Sequence, residues 1–337
     1  APDRLLAFRM TLMRRLFPPL FLLAFASLAC GEPAPYLRTA KGKEGGRVLE
    51  VAVRTLASPQ ENGPRVTLLG VSHLGDAAYY DKVQKKLDVA DLVLFEGVGF
   101  GDDGPQKRDG GGSAVSGIQV SLARSMGLVF QLEAIRYDRP HFRNSDLSTE
   151  ALLTRLQGGP LKPSKKGAKG KAPEGGLQSR EFTKALSGNS FLFDFLGKTL
   201  ALFGENPKFR ALMKLAIMET LGSIEGDVTR LAKSSGPGME KFMKVLLEDR
   251  NTIVFRDLRK VLKKKNPPKS IVVFYGAAHM PDLENRLARK FGFRPTGDEW
   301  LAAFGVDPEK AGLSAFELGL VRSMIRMQLR QVTSQSK

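Results

Sequence analysis

Two copies of one short pattern, in widely separated parts of the chain, constrain its fold more than any other feature. Each copy is an apolar strand, then G-x-x-H, then the start of a helix, and the two patterns end at His73 and His279. The chain has three histidines, so the pattern uses two of them at equivalent positions. A histidine at the carboxyl end of a buried strand lies where open α/β sheets place their ligands. The repeat therefore predicts an α/β protein in which two strand ends can converge on one metal or one substrate.

The first copy belongs to a predicted strand–helix–strand unit. Val48–Leu56 and Arg65–Val71 alternate or run apolar on either side of a turn-like segment, which indicates a β-hairpin. A helix is predicted over Ala77–Leu87 and a buried strand over Leu92–Phe95. Because such a crossover makes its two strands parallel, Glu96, directly after the last strand, is expected at the same sheet edge as the first histidine.

The second half of the chain is helical before it returns to a strand. From Leu147 to Lys264 the pattern is mostly helical, with apolar residues three and four apart in Ala211–Leu221 and Phe242–Val261. Ile271–Tyr275 is then a predicted strand and Asp282–Lys290 a predicted helix. We therefore predict an α/β domain with a central, largely parallel or mixed sheet, flanking helices, and a helical insertion between the two strand-GxxH-helix units.

The formal net charge of +17 raises the question of nucleic-acid binding. Much of the excess lies in a basic low-complexity insertion, residues 158–176, and in Lys263–Lys265. The lysines of the insertion stand among Gly, Pro and Ser without an aromatic residue, whereas surfaces that bind single strands interleave basic and aromatic side chains. We therefore expect no specific nucleic-acid partner and interpret the insertion as a solvated loop.

The beginning of the chain has the pattern of an export signal. Arg14 and Arg15 precede a short apolar run, Leu16–Leu28, which ends in Ala29 and then Cys30, the only cysteine. This cysteine stands where a bacterial lipoprotein signal is cut and lipidated, and simple signal cleavage near Ala29 is the alternative. We expect an exported protein of the bacterial periplasm or cell surface, held to the membrane by a lipid anchor.

These features divide the chain into four parts. We predict a signal peptide over 1–30, a tether over 31–46, an α/β domain over 47–311 and an amphipathic C-terminal helix over 312–337. The apolar row of that helix, with Phe316, Leu320 and Met324, is expected to pack on the domain more readily than to lie on a membrane.

Three side chains at predicted strand ends form a candidate metal site. His73, Glu96 and His279 would place two imidazoles and a carboxylate on one rim, a set that binds divalent ions and leaves positions open for water. Gly70 and Gly276, three residues before the histidines, allow backbone or ligand to approach closely. A lone histidine after a strand more often holds a structural hydrogen bond, but the repeated frame favours a site.

Other polar residues near the motifs have simpler interpretations. Asp76 and Asp282 each precede a helical run and are expected to cap those helices. His141 follows a proline in an irregular stretch and is expected to face solvent or a backbone carbonyl. A serine hydrolase that uses Ser72 remains a minor alternative, because Leu74 stands where the nucleophile-elbow motif needs glycine.

Taken together, these motifs are similar to those of a known family. They are Gly70-Val71-Ser72-His73, the strand ending in Glu96, Tyr137, Phe142 and Asp146, Asp249-Arg250-Asn251, and Gly276-Ala277-Ala278-His279. On these residues the chain resembles the TraB/PrgY/GumN family, which includes the Tiki metalloproteases, over residues 47–300. The family often has glutamate where this chain has Asp249.

The resemblance implies a function as well as a fold. It implies that His73, Glu96 and His279 bind one divalent metal ion, Mn, Co or Zn, in a peptidase-like hydrolase that acts on a peptide or protein substrate. Some relatives are described as inhibitors of peptide pheromone signalling. The alternative is therefore a non-catalytic protein of the cell envelope that sequesters a peptide or another ligand.

The resemblance also draws attention to residues around the ligands. Arg250 is expected either to hold a substrate carboxylate and developing negative charge, or to form a salt bridge with acids of its own helix such as Asp249. Asp146 is expected to orient a ligand histidine or to be a fourth ligand. Tyr137 and Asn251 are expected to support the ligands from behind.

Overall fold

The structure is a computed structural model and describes residues 33–42, 46–98, 114–156, 158–159, 205–223 and 237–334. The strands of this part of the chain are β1 (Leu37–Lys41), β2 (Arg47–Ala57), β3 (Arg65–Val71), β4 (Leu74–Gly75), β5 (Leu92–Phe95), β6 (Val129–Phe130), β7 (Phe142–Asn144), β8 (Ser270–Gly276) and β9 (Arg294–Val306). Its helices are α1 (Ala77–Asp88), α2 (Ala114–Ser125), α3 (Gln131–Ala134), α4 (Thr149–Leu156), α5 (Pro207–Ser223), α6 (Pro237–Lys244), α7 (Arg250–Leu262), α8 (Met280–Phe291) and α9 (Ala315–Ser334).

The main sheet is mixed, and the predicted α/β fold class is confirmed. Its strand order is β1-β2-β3-β8-β5-β7, and β9 pairs with β2. β3, β8, β5 and β7 are mutually parallel, whereas β2 is antiparallel to β1, β3 and β9. The hairpin of β2 and β3 is therefore as predicted. β3 and β5 are also parallel as predicted, but β8 lies between them.

The parallel strands end at one edge because apolar residues fix them in the core. β8 is buried from Ile271 to Gly276, and β3 and β5 are buried over most of their length, as expected for strands covered on both faces. Side chains of α1, α7 and α8 join the same core, among them Val83, Val254 and Leu287. The strand ends that carry the two G-x-x-H motifs and Glu96 are thus held by a rigid core.

The predicted helices are present, with ends that differ by a few residues. α8 starts directly after a 3₁₀ turn, Ala277–His279, and ends at Gly292, whose φ of 71° is the left-handed conformation that glycine adopts at helix ends. α5 extends beyond the predicted Ala211–Leu221 at both ends, to Pro207 and Ser223. α7 follows a π-helical segment, Val245–Asp249, which continues α6 without a break in the chain.

The prediction of a tether over 31–46 is wrong for the described part of that segment. β1 pairs with β2, and Tyr36 is buried, 2% exposed. Arg54 of β2, also 2% exposed, donates to Ala34 O, and its Cζ lies 4.4 Å from the centroid of the Tyr36 ring. Tyr36 and Arg54 both donate to Glu284 of α8. The segment is therefore an edge strand of the sheet. It also supplies one of the acceptors that the buried Arg54 needs.

Several predictions fall on residues outside the described part of the chain. These are the signal peptide, residues 1–30 with Cys30, and nearly all of the basic insertion, residues 158–176. Among the helices that the structure describes, none is long and apolar enough to cross a membrane.

The C-terminal helix forms as predicted, but its apolar row faces outward. α9 packs against α5, and Ile325 is buried. Phe316, Leu320 and Met324, the row expected to pack on the domain, are exposed. The sequence pattern thus identified the helix but not the face that contacts the body.

Candidate functional site

The ends of three parallel strands bring the predicted metal ligands to one edge of the sheet. His73 follows β3, Glu96 follows β5 and His279 follows β8. His279 Nε2 lies 3.8 Å from Glu96 Oε1. A Cβ atom added to Gly276 would lie 3.2 Å from His73 Nε2 and 3.4 Å from Glu96 Oε2. The three side chains therefore surround the last residue of β8, where any larger residue than glycine would crowd His73 and Glu96.

The ring of His279 is oriented by an amide side chain. Asn251 Nδ2 donates to two groups that can only accept, His279 O at 3.2 Å and the carboxylate of Asp282 at 2.8 Å. Asn251 Oδ1 must then be the acceptor for His279 Nδ1, 2.7 Å away. Because Nδ1 carries the proton, Nε2 of the neutral ring presents a lone pair toward Glu96.

The ring of His73 is held in the same way by a residue that sequence reasoning missed. Gln131, at the start of α3, accepts from His73 Nδ1 at 2.8 Å and donates to the Tyr137 hydroxyl at 2.9 Å. A backbone hydrogen bond from Gln131 N to His73 O, 2.9 Å, ties the two segments together. Tyr137, which was expected to support the ligands, therefore contacts His73 indirectly, through Gln131. A buried glutamine in a mixed stretch gave no periodic signal that would have singled it out.

Glu96 is at the end of a buried chain of charges. Arg250 donates from Nη2 to Glu96 Oε1 at 2.5 Å and, through Nε and Nη2, binds both carboxylate oxygens of Asp146 at 3.0 and 2.6 Å. Asp146 also accepts from the Gly97 backbone N–H, and its side chain is fully buried. Glu96 Oε2 accepts from Gly276 N at 2.7 Å. Asp146 therefore positions Arg250, which positions Glu96.

This network corrects the expected roles of Arg250 and Asp146. The guanidinium binds two carboxylates from other elements, so it neither pairs with acids of its own helix nor points freely to a substrate. Asp249, the neighbouring acid, pairs with Arg155 instead. Asp146 contacts no histidine ring in the hydrogen bonds described, and its partners are Arg250 and backbone N–H groups. The π-helical segment lies directly before Arg250. Such segments often occur at functional sites.

The charges at the site suit metal binding at neutral pH. Burial of the imidazole lowers the pKa of His279 to about 4, although the charge of Glu96 opposes the shift. His279 is therefore neutral at pH 7, as a metal ligand must be. Burial alone would raise the pKa of Glu96, but Arg250 and the Gly276 N–H outweigh it and hold the pKa below its ordinary value, so Glu96 is ionised.

Neighbouring residues have the following roles. Asp76 occupies the N-cap position of α1 but makes no capping hydrogen bond through its side chain. Asp282 lies inside the first turn of α8 instead of capping it, and it binds Asn251 and Arg286. His141 donates to the Leu87 carbonyl, one of the two roles expected for it. Ser72 donates its hydroxyl to Leu74 O, which leaves it poorly placed to act as a nucleophile.

The donor set fits a divalent ion by its chemistry, and its spacing is wider than that of a formed site. Two imidazoles present Nε2, and an ionised carboxylate lies beside them, the ligand types that Mn, Co and Zn accept. In the described segments, however, no group of three His, Cys, Asp or Glu side chains converges closely enough to hold an ion as the side chains stand. Glu96 is turned toward Arg250 and Gly276 N, which accounts for part of that spacing.

No family profile, no curated protein and no solved structure matches this chain.

Proposed function

We propose that this chain is a metal-dependent, peptidase-like hydrolase of the TraB/PrgY/GumN type. One observation carries the proposal: each G-x-x-H histidine has its Nδ1 fixed by a side-chain amide and its Nε2 turned to the rim that holds Glu96. A structural histidine needs one hydrogen bond, whereas two rings oriented alike beside one carboxylate make a ligand set. The apolar leader and Cys30 support the further proposal that the protein is exported and lipid-anchored.

His73, Glu96 and His279 would hold the ion in this proposal. A bound divalent metal supplies a water of lowered pKa and polarises a carbonyl oxygen. Gln131 and Asn251 keep the two imidazoles in the tautomer that presents Nε2. Arg250 keeps Glu96 ionised and Asp146 holds Arg250 in place, so both are positioning residues.

A non-catalytic binding protein is the second candidate, and one observation favours it. Both oxygens of Glu96 already have strong partners, Arg250 Nη2 on one and Gly276 N on the other. A carboxylate satisfied in this way can shape a ligand pocket without binding a metal. Such a protein would sequester a peptide, and the histidines would donate or accept hydrogen bonds from it.

Peptide cleavage with defined metals separates the two functions. The purified protein is incubated with a mixed peptide library and Mn, Co or Zn in turn, and products are identified by mass spectrometry. If the protein is a hydrolase, we expect cleavage that stops when a chelator is added. The Glu96→Ala variant should not cleave, and the His141→Ala variant should cleave as the wild type does. Peptide binding that survives Glu96→Ala, with no cleavage by the wild type under any of the metals, would favour the binding protein and count against the hydrolase.

The amides behind the two histidines give a further test of the ligand set. Gln131→Ala and Asn251→Ala should each weaken metal binding by roughly 10- to 100-fold, because each frees one imidazole to rotate or change tautomer. Isothermal titration with the tightest of the three metals measures the effect. Gln84→Ala is the matched control, since Gln84 is a buried glutamine that binds Asp88 and Arg136 N and touches neither histidine. Equal affinities in all three variants would show that the amides do not orient ligands.

A further inference from the structure

The outward row of α9 is a continuous apolar surface. Phe316, Leu320, Met324 and Met327 are 78%, 50%, 54% and 59% exposed. They follow one another at intervals of four, four and three residues, which places them on one side of the helix. The only other large apolar side chain as exposed in the described residues is Val89, which stands alone. Isolated exposed hydrophobics are ordinary, whereas a row of four usually marks an interaction surface.

The row is separate from the contacts that hold α9 to the domain. Leu318 packs with Ala211 and Leu215 of α5, and Ile325 is buried. Residues 318 and 325 lie about 20° apart around the helix, and each is at least about 100° from 320 and 324 by helical periodicity. The helix therefore has a docked side and a free apolar side, and removing the free side would leave its packing intact.

Positive charge lies beside the free apolar side. α9 carries Arg322, Arg326 and Arg330 against one acid, Glu317. Arg322 pairs with Glu219 of α5, whereas Arg326 lies between that contact and the apolar row around the helix. Arg326 is exposed and makes one hydrogen bond, to the Arg322 carbonyl. An apolar row with an exposed arginine beside it matches the boundary between acyl chains and anionic headgroups.

Strands β1 and β2 contact α5, the helix that supports α9. Thr39 of β1 donates to Met218 O of α5, the helix on which α9 packs. Glu219 of α5 then accepts from both Arg47 of β2 and Arg322 of α9. Arg322 therefore belongs to the docked side of α9.

We propose that the free side of α9 binds the surface of a bilayer that contains anionic lipid, with the apolar row inserted below the headgroups and Arg326 among the phosphates. The helix lies parallel to the membrane plane, since its docked side remains on the domain. This surface is distinct from the candidate metal site and does not depend on the proposed hydrolase activity.

The test places a fluorescent reporter on α9 itself. In the full-length chain, Trp300, the only tryptophan, is replaced by phenylalanine, and Phe316→Trp adds a single indole to the apolar row. The matched control is Val89→Trp in the same background. Each protein is mixed with vesicles of phosphatidylcholine alone, or of phosphatidylcholine with phosphatidylglycerol, some carrying brominated acyl chains that quench an inserted indole.

We expect blue-shifted and bromine-quenched emission from Phe316→Trp with the anionic vesicles, and neither change from Val89→Trp. Adding Arg326→Gln should lower the partition onto anionic vesicles about fivefold. Unchanged emission from Phe316→Trp on vesicles that carry the protein would overturn the proposal, even if another segment attaches the chain. A blue shift without vesicles, with a doubled mass by light scattering, would also overturn it, because the row would then contact a second copy.

Discussion

Arg250→Ala is expected to lower the free energy of unfolding by about 3 to 5 kcal/mol, the usual cost of removing one partner from a buried ion pair. Arg250 is the cation between Glu96 and Asp146, whose side chains are 11% and 0% exposed. Alanine would leave two carboxylates close together in the protein interior without a counter-charge. Urea denaturation followed by circular dichroism measures the loss.

The control for this prediction lies on the same helix. Arg256 pairs with Asp257 at the surface, with about half of its side chain exposed, so Arg256→Ala should cost less than about 1 kcal/mol. Equal small losses in the two variants would contradict the assignment of Arg250 to a buried network. The effect should also depend on pH. Burial opposes ionisation of Glu96, but Arg250 holds its pKa below the ordinary value of 4.5, so the ion pair stabilises the fold above that pH. The difference in the free energy of unfolding between the wild type and Arg250→Ala should therefore shrink as the pH falls below 4.5.

The sequence predicted the part of the site that depends on strand ends. His73, Glu96 and His279 each follow an apolar strand, and parallel strands that share a sheet end at the same edge. The crossover from β3 to β5 supplied the strand direction for His73 and Glu96, whereas the direction of β8, and with it the position of His279, was assumed. The crossover did not reveal that β8 lies between those two strands, since strand order depends on long-range packing.

The sequence did not predict how those residues are held. Gln131 and Asn251 orient the two histidines, and Asp146 reaches Glu96 only through Arg250. These contacts join segments far apart in the chain, and none has a local spacing or periodicity. The resemblance to a family marked Asn251 and Asp146 as noteworthy, but it carried no geometry for either.

The edges of the fold were also beyond the sequence pattern. β1 was interpreted as part of a tether because it follows the predicted lipid anchor, whereas its strand conformation comes from pairing with β2. β9 was not predicted, and its first six residues are exposed. Its length comes from pairing with β2 along the whole of that strand. In both cases tertiary pairing overrides a weak local preference.

The second large expected effect is the loss of metal from the two histidine variants. If Nε2 of His73 and Nε2 of His279 are both ligands, removal of either leaves too few donors for tight binding, because a catalytic zinc-type site has three protein ligands. Each variant should therefore retain less than about a tenth of the wild-type metal. His141→Ala is the matched control, as His141 binds the Leu87 carbonyl and should keep its metal.

The metal content of the purified protein tests the central claim most directly. The wild type, His73→Ala, His279→Ala and His141→Ala are equilibrated with Mn, Co or Zn, passed through a desalting column and analysed by inductively coupled plasma mass spectrometry. We predict about one ion per chain in the wild type and His141→Ala, and near none in the other two. Equal and negligible metal in all four proteins would contradict a metal site at this edge of the sheet.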